Sequence, residues 1–428
     1  MSERPRVLVI AEAANPEWVS VPLIGWSLST ALRAVADVHI VTHIRNREAF
    51  LRAGEIEGET FTAIDSEAVA RPLWKLGEAL RMGQGKGWTV MQAISALSYP
   101  YFERLVWRRF GAAIRAGDFD LVHRVTPLSP TVSSPLAGRC AAAGVPFVLG
   151  PLNGGVPWPR GFEAERRRER EYLSYLRGAY KALPGRGATL RHAAAIVAGS
   201  RHTLGEVPAR FRDKCVYIPE NAIDPKRFSR VAAPEGAVLR AGFVGRMVPY
   251  KGPDMLLEAA LPLLREGRML IEMVGDGPML EGLRGFAAQQ GVAGAVRFHG
   301  WLAHERVQEV LAGCHMLSFP SVREFGGGVV LEAMALGVVP LIVDYAGPGE
   351  LVGPDWGLKV PLGTRDEIVA GFRAALARAA AEPAALAPLA EAGRARVAGG
   401  FTWEAKAHQL RAVYDWALGR GGKPVPFG

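Results

Sequence analysis

Glu324 and Glu332 frame the stretch E-F-G-G-G-V-V-L-E, with seven residues between the two carboxylates. A carboxylate accepts several hydrogen bonds at once, which suits neighbouring hydroxyls on a sugar or ribose. Gly326, Gly327 and Gly328 can turn the chain sharply and bring bare backbone N–H groups against a ligand. The apolar run after them starts a helix, whose first N–H groups and dipole favour an anion. Diol-binding carboxylates beside an anion-binding helix start describe a site for a nucleotide sugar. Residues 326–343 carry a single charged side chain, which raises the question of a membrane span. Glu332 in mid-run, the opening glycines and Pro340 instead read as loop, helix and strand in a buried core.

A second cluster lies upstream in G-F-V-G-R-M-V-P-Y-K-G-P, residues 242–253. A strand ends at Gly245, and Arg246 and Lys251 sit five apart in the loop that follows. One offers a guanidinium fork and the other a point charge, and the two can converge on a diphosphate. Pro253 fits the first turn of the next helix. Val274-Gly275-Asp276-Gly277-Pro278 is another strand end with a tight turn. V-R-F-H-G closes a third strand at His299 and Gly300, and Phe319-Pro320-Ser321 leads into the glutamates.

These loops need strands to hold them. Apolar runs at 7–11, 38–41, 121–123, 147–149, 196–198 and 216–218 alternate with amphipathic helical stretches, the pattern of a parallel sheet covered by helices. Residues 66–116 break the rhythm with at least two helices rich in aromatic and basic side chains. Pro219, Pro225, Pro234 and Gly236 mark a linker, and a second series of strands follows at 239–244, 270–274, 296–298, 316–319 and 338–343. The expectation is an α/β protein with two tandem Rossmann-like domains and a cleft between them, ligands lying outside the carboxyl ends of the strands. The predicted divisions are a first domain at 1–220, a linker at 221–237, a second domain at 238–400, and a helix at 401–428 returning to the first domain.

Length and composition set outer bounds. A chain of 428 residues has ample length for two cores. Hydrophobic residues at 49% and charged residues at 22% are ordinary for a soluble globular protein. The start, M-S-E-R-P-R-V-L-V-I, enters a strand with no leader-like apolar region. Three scattered cysteines, Cys140, Cys215 and Cys314, support neither a disulfide framework nor a zinc site. A cytoplasmic setting is expected. The formal net charge of +9 calls for an anionic partner. Nucleic acid is not expected, because RNP-like strands, zinc-finger spacing and long lysine runs are all missing. Lys75, Arg81 and Lys86 among the aromatics of 66–116, with the further basic run Arg160–Arg170, allow two readings: peripheral contact with an anionic membrane at its inner face, or ordinary packed helices whose aromatics are core.

The ordered set from Gly242 to Glu332 closely resembles the retaining GT-B glycosyltransferases of family four. H-A-A-A-I-V-A-G-S over 192–200, P-E-N-A-I-D over 219–224 and F-T-W-E over 401–404 add to the likeness. The resemblance implies that Arg246 and Lys251 neutralise a leaving diphosphate, that Glu332 holds ribose hydroxyls, and that Glu324 contacts the donor sugar. It implies amides at Gly326, Gly327 and Gly328 for phosphate or sugar, and base contacts near His299, Gly300 and Leu302. The donor would be a UDP- or GDP-sugar, the acceptor a glycan, a lipid-linked molecule or a small molecule, with no cofactor and no metal. Anomeric configuration would be retained.

The chain departs from that pattern twice. The family's double-glycine loop after the first strand is replaced by residues 13–26 with only Gly25, so Asn153, Gly154 and Gly155 are the acceptor-side substitutes. Of its H-x-H, only the first histidine stands, as His123-Arg124-Val125, and His123 is the acceptor-side catalytic candidate. Asp118-Phe119-Asp120 matches a metal-binding D-x-D but precedes a strand, where it reads as a loop cap. Gly185-Arg186-Gly187 lacks the third glycine of a dinucleotide fingerprint. The competing functions are a pseudo-enzyme that only binds a nucleotide sugar or a partner, and a glycoside hydrolase using Glu324 and Glu332, which leaves Arg246 and Lys251 without work.

Overall fold

A computed structural model describes residues 4–80, 88–154, 156–168, 185–234 and 236–427. The chain divides into two compact units, one of Met1–Gly155, Arg170–Glu220 and Trp403–Gly428, the other of Val156–Glu169 and Asn221–Thr402.

The first unit is built on β1 (Arg6–Ala11), β2 (Asp37–His43), β3 (Phe61–Ile64), β4 (Leu121–Thr126), β5 (Phe147–Leu152), β6 (Ala195–Ala198) and β7 (Cys215–Tyr217). They pair in parallel in the order β3-β2-β1-β4-β5-β6-β7. A parallel sheet covered on both faces buries every side chain of its central strands, which is why V-L-V-I-A of β1 is continuously apolar. Successive residues point to opposite faces. Leu8 and Ile10 therefore join one core, with Tyr99, Phe102, Val106, Phe110 and Ile114. Val7 and Val9 join the other, with Leu28, Leu32, Leu410, Val413 and Tyr414.

These two cores explain two segments. The 66–116 stretch forms helices Glu67–Leu80 and Trp88–Ala116. On the second helix, residues 99, 102, 106, 110 and 114 recur at helical spacing and are buried. Tyr99, Phe102 and Phe110 are thus core, while Arg104, Arg108 and Arg109 stay exposed. Arg81 and Lys86 lie outside the described residues, as do residues 169–170 at the end of the Arg160–Arg170 run. The C-terminal helix Trp403–Ala417 buries Ala407, Leu410, Val413 and Tyr414 within the first unit. The D-x-D serves the start of β4, where Asp120 accepts from the Arg6 backbone N–H at 2.7 Å and from its guanidinium at 2.9 Å.

The second unit contains β8 (Leu239–Val244), β9 (Met269–Val274), β10 (Val296–Gly300), β11 (Met316–Phe319), β12 (Val339–Asp344) and β13 (Leu358–Pro361), parallel in the order β10-β9-β8-β11-β12-β13. Strands β3 and β13 were not anticipated. Both are four-residue edge strands, F-T-A-I and L-K-V-P, buried at only part of their length. Too short for a period to register, they take their conformation from the neighbour they pair with. The strand order reverses direction between β1 and β4 and between β8 and β11, and ligands bind beyond the carboxyl ends at such switch points.

Among the described residues, no helix is long and apolar enough to cross a membrane.

Candidate functional site

The carboxyl ends of β8 and β11, neighbours in the sheet, gather most of the residues expected on the donor side. Arg246 follows Gly245 and is exposed. Its loop lies against the V-G-D-G-P turn, backbone on backbone. Met247 N–H donates to the Asp276 carbonyl at 2.9 Å. A Cβ at Gly275 would sit 2.0 Å from the Gly245 carbonyl oxygen, and one at Gly277 2.5 Å from that of Met247. Glycine is required there because two main chains occupy the space of a side chain.

Pro249–Lys251 is one 3₁₀ turn closed by Gly252 in the left-handed conformation, φ +70°. A Cβ at Gly252 would come within 2.6 Å of the Pro320 carbonyl oxygen. Val322 N–H also donates to the Tyr250 carbonyl at 2.9 Å. These contacts stitch the loop after β8 to the loop after β11, and they deliver the Lys251 ammonium onto the Glu324 carboxylate as an ion pair. Burial, with the Arg323 guanidinium nearby, pulls the Lys251 ammonium down to about 7. Arg323 is itself buried, its guanidinium over the rings of Trp158 at 4.9 Å and Phe325 at 5.5 Å. The sequence analysis passed over Arg323 although it adjoins Glu324. Nothing in its spacing marks it, and its meaning comes from the rings that enclose it.

Gly327, φ +64°, caps the nine-residue helix Gly328–Leu336. A Cβ there would press on Leu351 at 3.1 Å and on the Pro348 nitrogen at 3.2 Å. The first N–H groups of a helix lack intrahelical partners, so the Gly326–Gly328 bend presents donors beside Glu324. Glu332 stands four residues past Gly328, one turn along the helix. Its Oε1 accepts from His304 Nε2 at 2.9 Å. His304 opens helix His304–Ala312, and its ring meets the edge of Phe228 with centroids 5.1 Å apart. Hydrogen bonding to Glu332 raises the His304 pKa above the usual imidazole range. Sequence reading missed His304. A lone histidine two residues beyond Leu302 gives no hint of a glutamate 28 positions later.

His299 and Gly300 end β10. His299 Nε2 donates to Glu272 at 2.7 Å, and Glu272 also receives Arg240 at 3.3 Å. The Gly300 carbonyl accepts from Gly275 N–H at 2.8 Å. The His299 ring and the Gly300 carbonyl are therefore engaged within the unit, while the next residue, Trp301, is 76% exposed.

The acceptor-side expectations fall in the first unit, and the geometry there redirects them. His123 is fully buried. Its Nε2 donates to the Gly150 carbonyl at 2.6 Å, and its Nδ1 accepts from the Tyr414 hydroxyl at 2.6 Å. A carbonyl only accepts, so Nε2 carries a proton, and burial disfavours a second one. Burial pulls its pKa down to about 4. Both nitrogens are spent on tying β4 to β5 and to the C-terminal helix, which leaves none for a substrate hydroxyl. Tyr414→Phe should strand Nδ1 and cost about 1–3 kcal/mol of stability, measurable as a lower denaturation midpoint in urea.

Asn153 is similarly occupied. Its amide donates to Glu220, and its Oδ1 accepts from Gly154 N–H at 2.8 Å. Gly155 lies outside the described residues. In the loop after β1, Ala13 N–H is taken by Thr126 Oγ1 at 3.0 Å and Asn15 N–H by the Pro22 carbonyl at 2.8 Å. These two loop amides hold the first unit's own structure. Glu12, at the end of β1, was not singled out from sequence. Burial pushes its carboxyl up to about 7, against the pull of Arg45.

Among the described residues, no group of three or more His, Cys, Asp or Glu side chains could hold a metal ion.

Residues 229–391 match the family described as glycosyl transferases group 1. The D-inositol 3-phosphate glycosyltransferase of Geodermatophilus obscurus is 35% identical over 233 residues, 51% of this chain and 48% of the relative. That of Gordonia bronchialis is 32% identical over 187 residues, 41% of this chain and 40% of the relative. The chain thus spans less than half the length of these curated relatives. Solved structures resemble the fold over nearly its whole length. A glycosyltransferase from Rickettsia africae aligns with TM-score 0.64 at 12% identity, covering 98% of this chain and 100% of its own. Anabaena HepE, in complex with UDP, aligns with TM-score 0.60 at 14% identity, covering 95% and 98%.

Proposed function

Since residues 229–391 form a group 1 glycosyltransferase domain in a chain of GT-B fold, we propose that this protein is a retaining glycosyltransferase that moves a sugar from a UDP- or GDP-sugar to an acceptor. The observation that carries this reading is the junction of the β8 and β11 loops. It sets Lys251 against Glu324, with Arg246 on the β8 loop and the Gly326–Gly328 helix start following Glu324.

Transfer breaks the bond between the anomeric carbon and the diphosphate oxygen and leaves negative charge on the diphosphate. Arg246 and Lys251 balance that charge, and preorganised cations act most strongly where charge develops. Glu324 holds a hydroxyl of the donor sugar once Lys251 turns to phosphate. Glu332 accepts the ribose hydroxyls. The acceptor hydroxyl attacks from the face the diphosphate leaves and passes its proton to the departing diphosphate oxygen, so configuration is retained. His123 has no part in the step. Relatives named for D-inositol 3-phosphate favour a polyhydroxylated or phosphorylated small acceptor. The test is release of UDP or GDP from a panel of nucleotide sugars with and without inositol phosphates. No release with any donor would overturn the reading.

A cytoplasmic setting with contact to anionic lipid is part of the proposal. Arg104 and Arg108 stand four apart on the exposed side of a helix that buries Tyr99, Phe102 and Phe110. Attraction of that kind is electrostatic alone, about 1 kcal/mol for each cation near the surface. Co-sedimentation with anionic vesicles is expected at low salt, lost at high salt and absent with neutral vesicles. Salt-resistant binding would point to inserted apolar side chains instead.

A further inference from the structure

We infer that His304 is a positioning residue for the nucleotide, holding Glu332 in the orientation that reads the ribose diol and so selecting ribonucleotides over 2′-deoxyribonucleotides. The inference rests on the proposal that Glu332 binds ribose, and it adds the residue that sets that carboxylate in place.

Three observations support it. His304 Nε2 lies 2.9 Å from Glu332 Oε1. A carboxylate oxygen only accepts, so Nε2 is the donor whether the ring carries one proton or two. The bond therefore persists across neutral pH, and it is stronger in the charged state that Glu332 favours. The imidazole is also braced. Its ring stands at 86° to that of Phe228, which is buried. The adjacent chain is anchored as well, with Gln308 donating to the Arg227 carbonyl at 2.7 Å. Finally, His304 and Glu332 come from two different helices of the second unit, His304–Ala312 and Gly328–Leu336. The bond fixes one against the other.

A free glutamate on a helix samples several rotamers, and ordering it on binding costs affinity. Here that cost is met before the nucleotide arrives. His304 takes one of the roughly four acceptor positions of the carboxylate and leaves the rest for hydroxyl donors. A site built to pair a hydroxyl penalises the ligand that lacks it, because the partner is left unsatisfied.

The experiment is calorimetric titration of the full chain with UDP and 2′-deoxy-UDP, or with GDP and 2′-deoxy-GDP if the guanosine pair binds more tightly. Wild type should bind the ribonucleotide about tenfold or more tightly. His304→Leu should weaken the ribonucleotide by about tenfold and leave the deoxy form nearly unchanged, so that the preference collapses. His304→Gln, which keeps an N–H donor at similar reach, should restore the preference. His304→Asn, whose amide stops short, should not, and it serves as the test if His304→Leu fails to fold. Equal weakening of both nucleotides, or an unchanged ratio in His304→Leu or His304→Asn, overturns the inference. If Glu332→Ala leaves ribonucleotide affinity intact, the ribose assignment itself fails and the inference falls with it. If Glu332→Ala weakens binding while the His304 variants keep the ratio, only the role of His304 falls.

Discussion

Lys251→Ala is expected to lower the rate of nucleoside diphosphate release by about a hundredfold or more, the scale of losing one preorganised group that stabilises developing charge. Arg246→Ala should fall by a similar factor. In the ligand-free protein Lys251 pairs with Glu324, and burial beside Arg323 lowers its pKa to about 7. A lowered pKa means that the charge is present below about 7 and lost above it in the free enzyme. Donor affinity should therefore weaken as pH rises past 7, with uptake of a proton on binding, and Lys251→Ala should lack that dependence. The measurements are turnover with the preferred nucleotide sugar and calorimetry in two buffers of different ionisation enthalpy. Near-normal turnover in both variants would place the diphosphate elsewhere.

Glu332→Ala should weaken nucleotide binding by about 1.5–3 kcal/mol, the range for hydrogen bonds to a charged group. That corresponds to roughly tenfold to more than a hundredfold in Kd. The loss should appear with UDP or GDP alone, since ribose contacts need no sugar. The variant also leaves His304 without its carboxylate, so the imidazole pKa should return towards its ordinary value, visible by NMR titration of the ring. A variant with unchanged nucleotide affinity would remove Glu332 from the ribose.

The clustering of charges and glycine turns at the ends of β8 and β11 was legible because it is local. Gly275, Gly277 and Gly252 stand where main chains touch or φ is positive, and such demands admit glycine and little else, so they show in sequence as a motif. Arg246 and Lys251 adjoin Gly245 and Gly252, and Glu324 and Glu332 flank Gly326–Gly328. The acceptor side was not legible in this way. His123 reads from sequence as the carboxyl end of a strand, whereas β4 runs on to Thr126 and holds it mid-strand, and an apolar run reads the same whether its histidine faces a substrate or a tyrosine. Its partner Tyr414 lies 291 residues away, and no spacing rule connects them. The aromatic and basic mixture of 66–116 was equally ambiguous until Tyr99, Phe102 and Phe110 took core positions and Arg104, Arg108 and Arg109 took exposed ones.

By itself the sequence determined the parallel α/β architecture, its two strand series and the charges carried by the loops after β8 and β11, because hydrophobic period, glycine turns and neighbouring charges act over a few residues. Only the tertiary structure decided which polar groups are spent and which are offered. It engaged His123, Asn153 and the Gly300 carbonyl inside the fold, enclosed Arg323 between two rings, and brought His304 to Glu332 from another helix. Those outcomes depend on which distant elements pack together, and a hydrogen bond formed across that packing leaves no trace in the order of the residues.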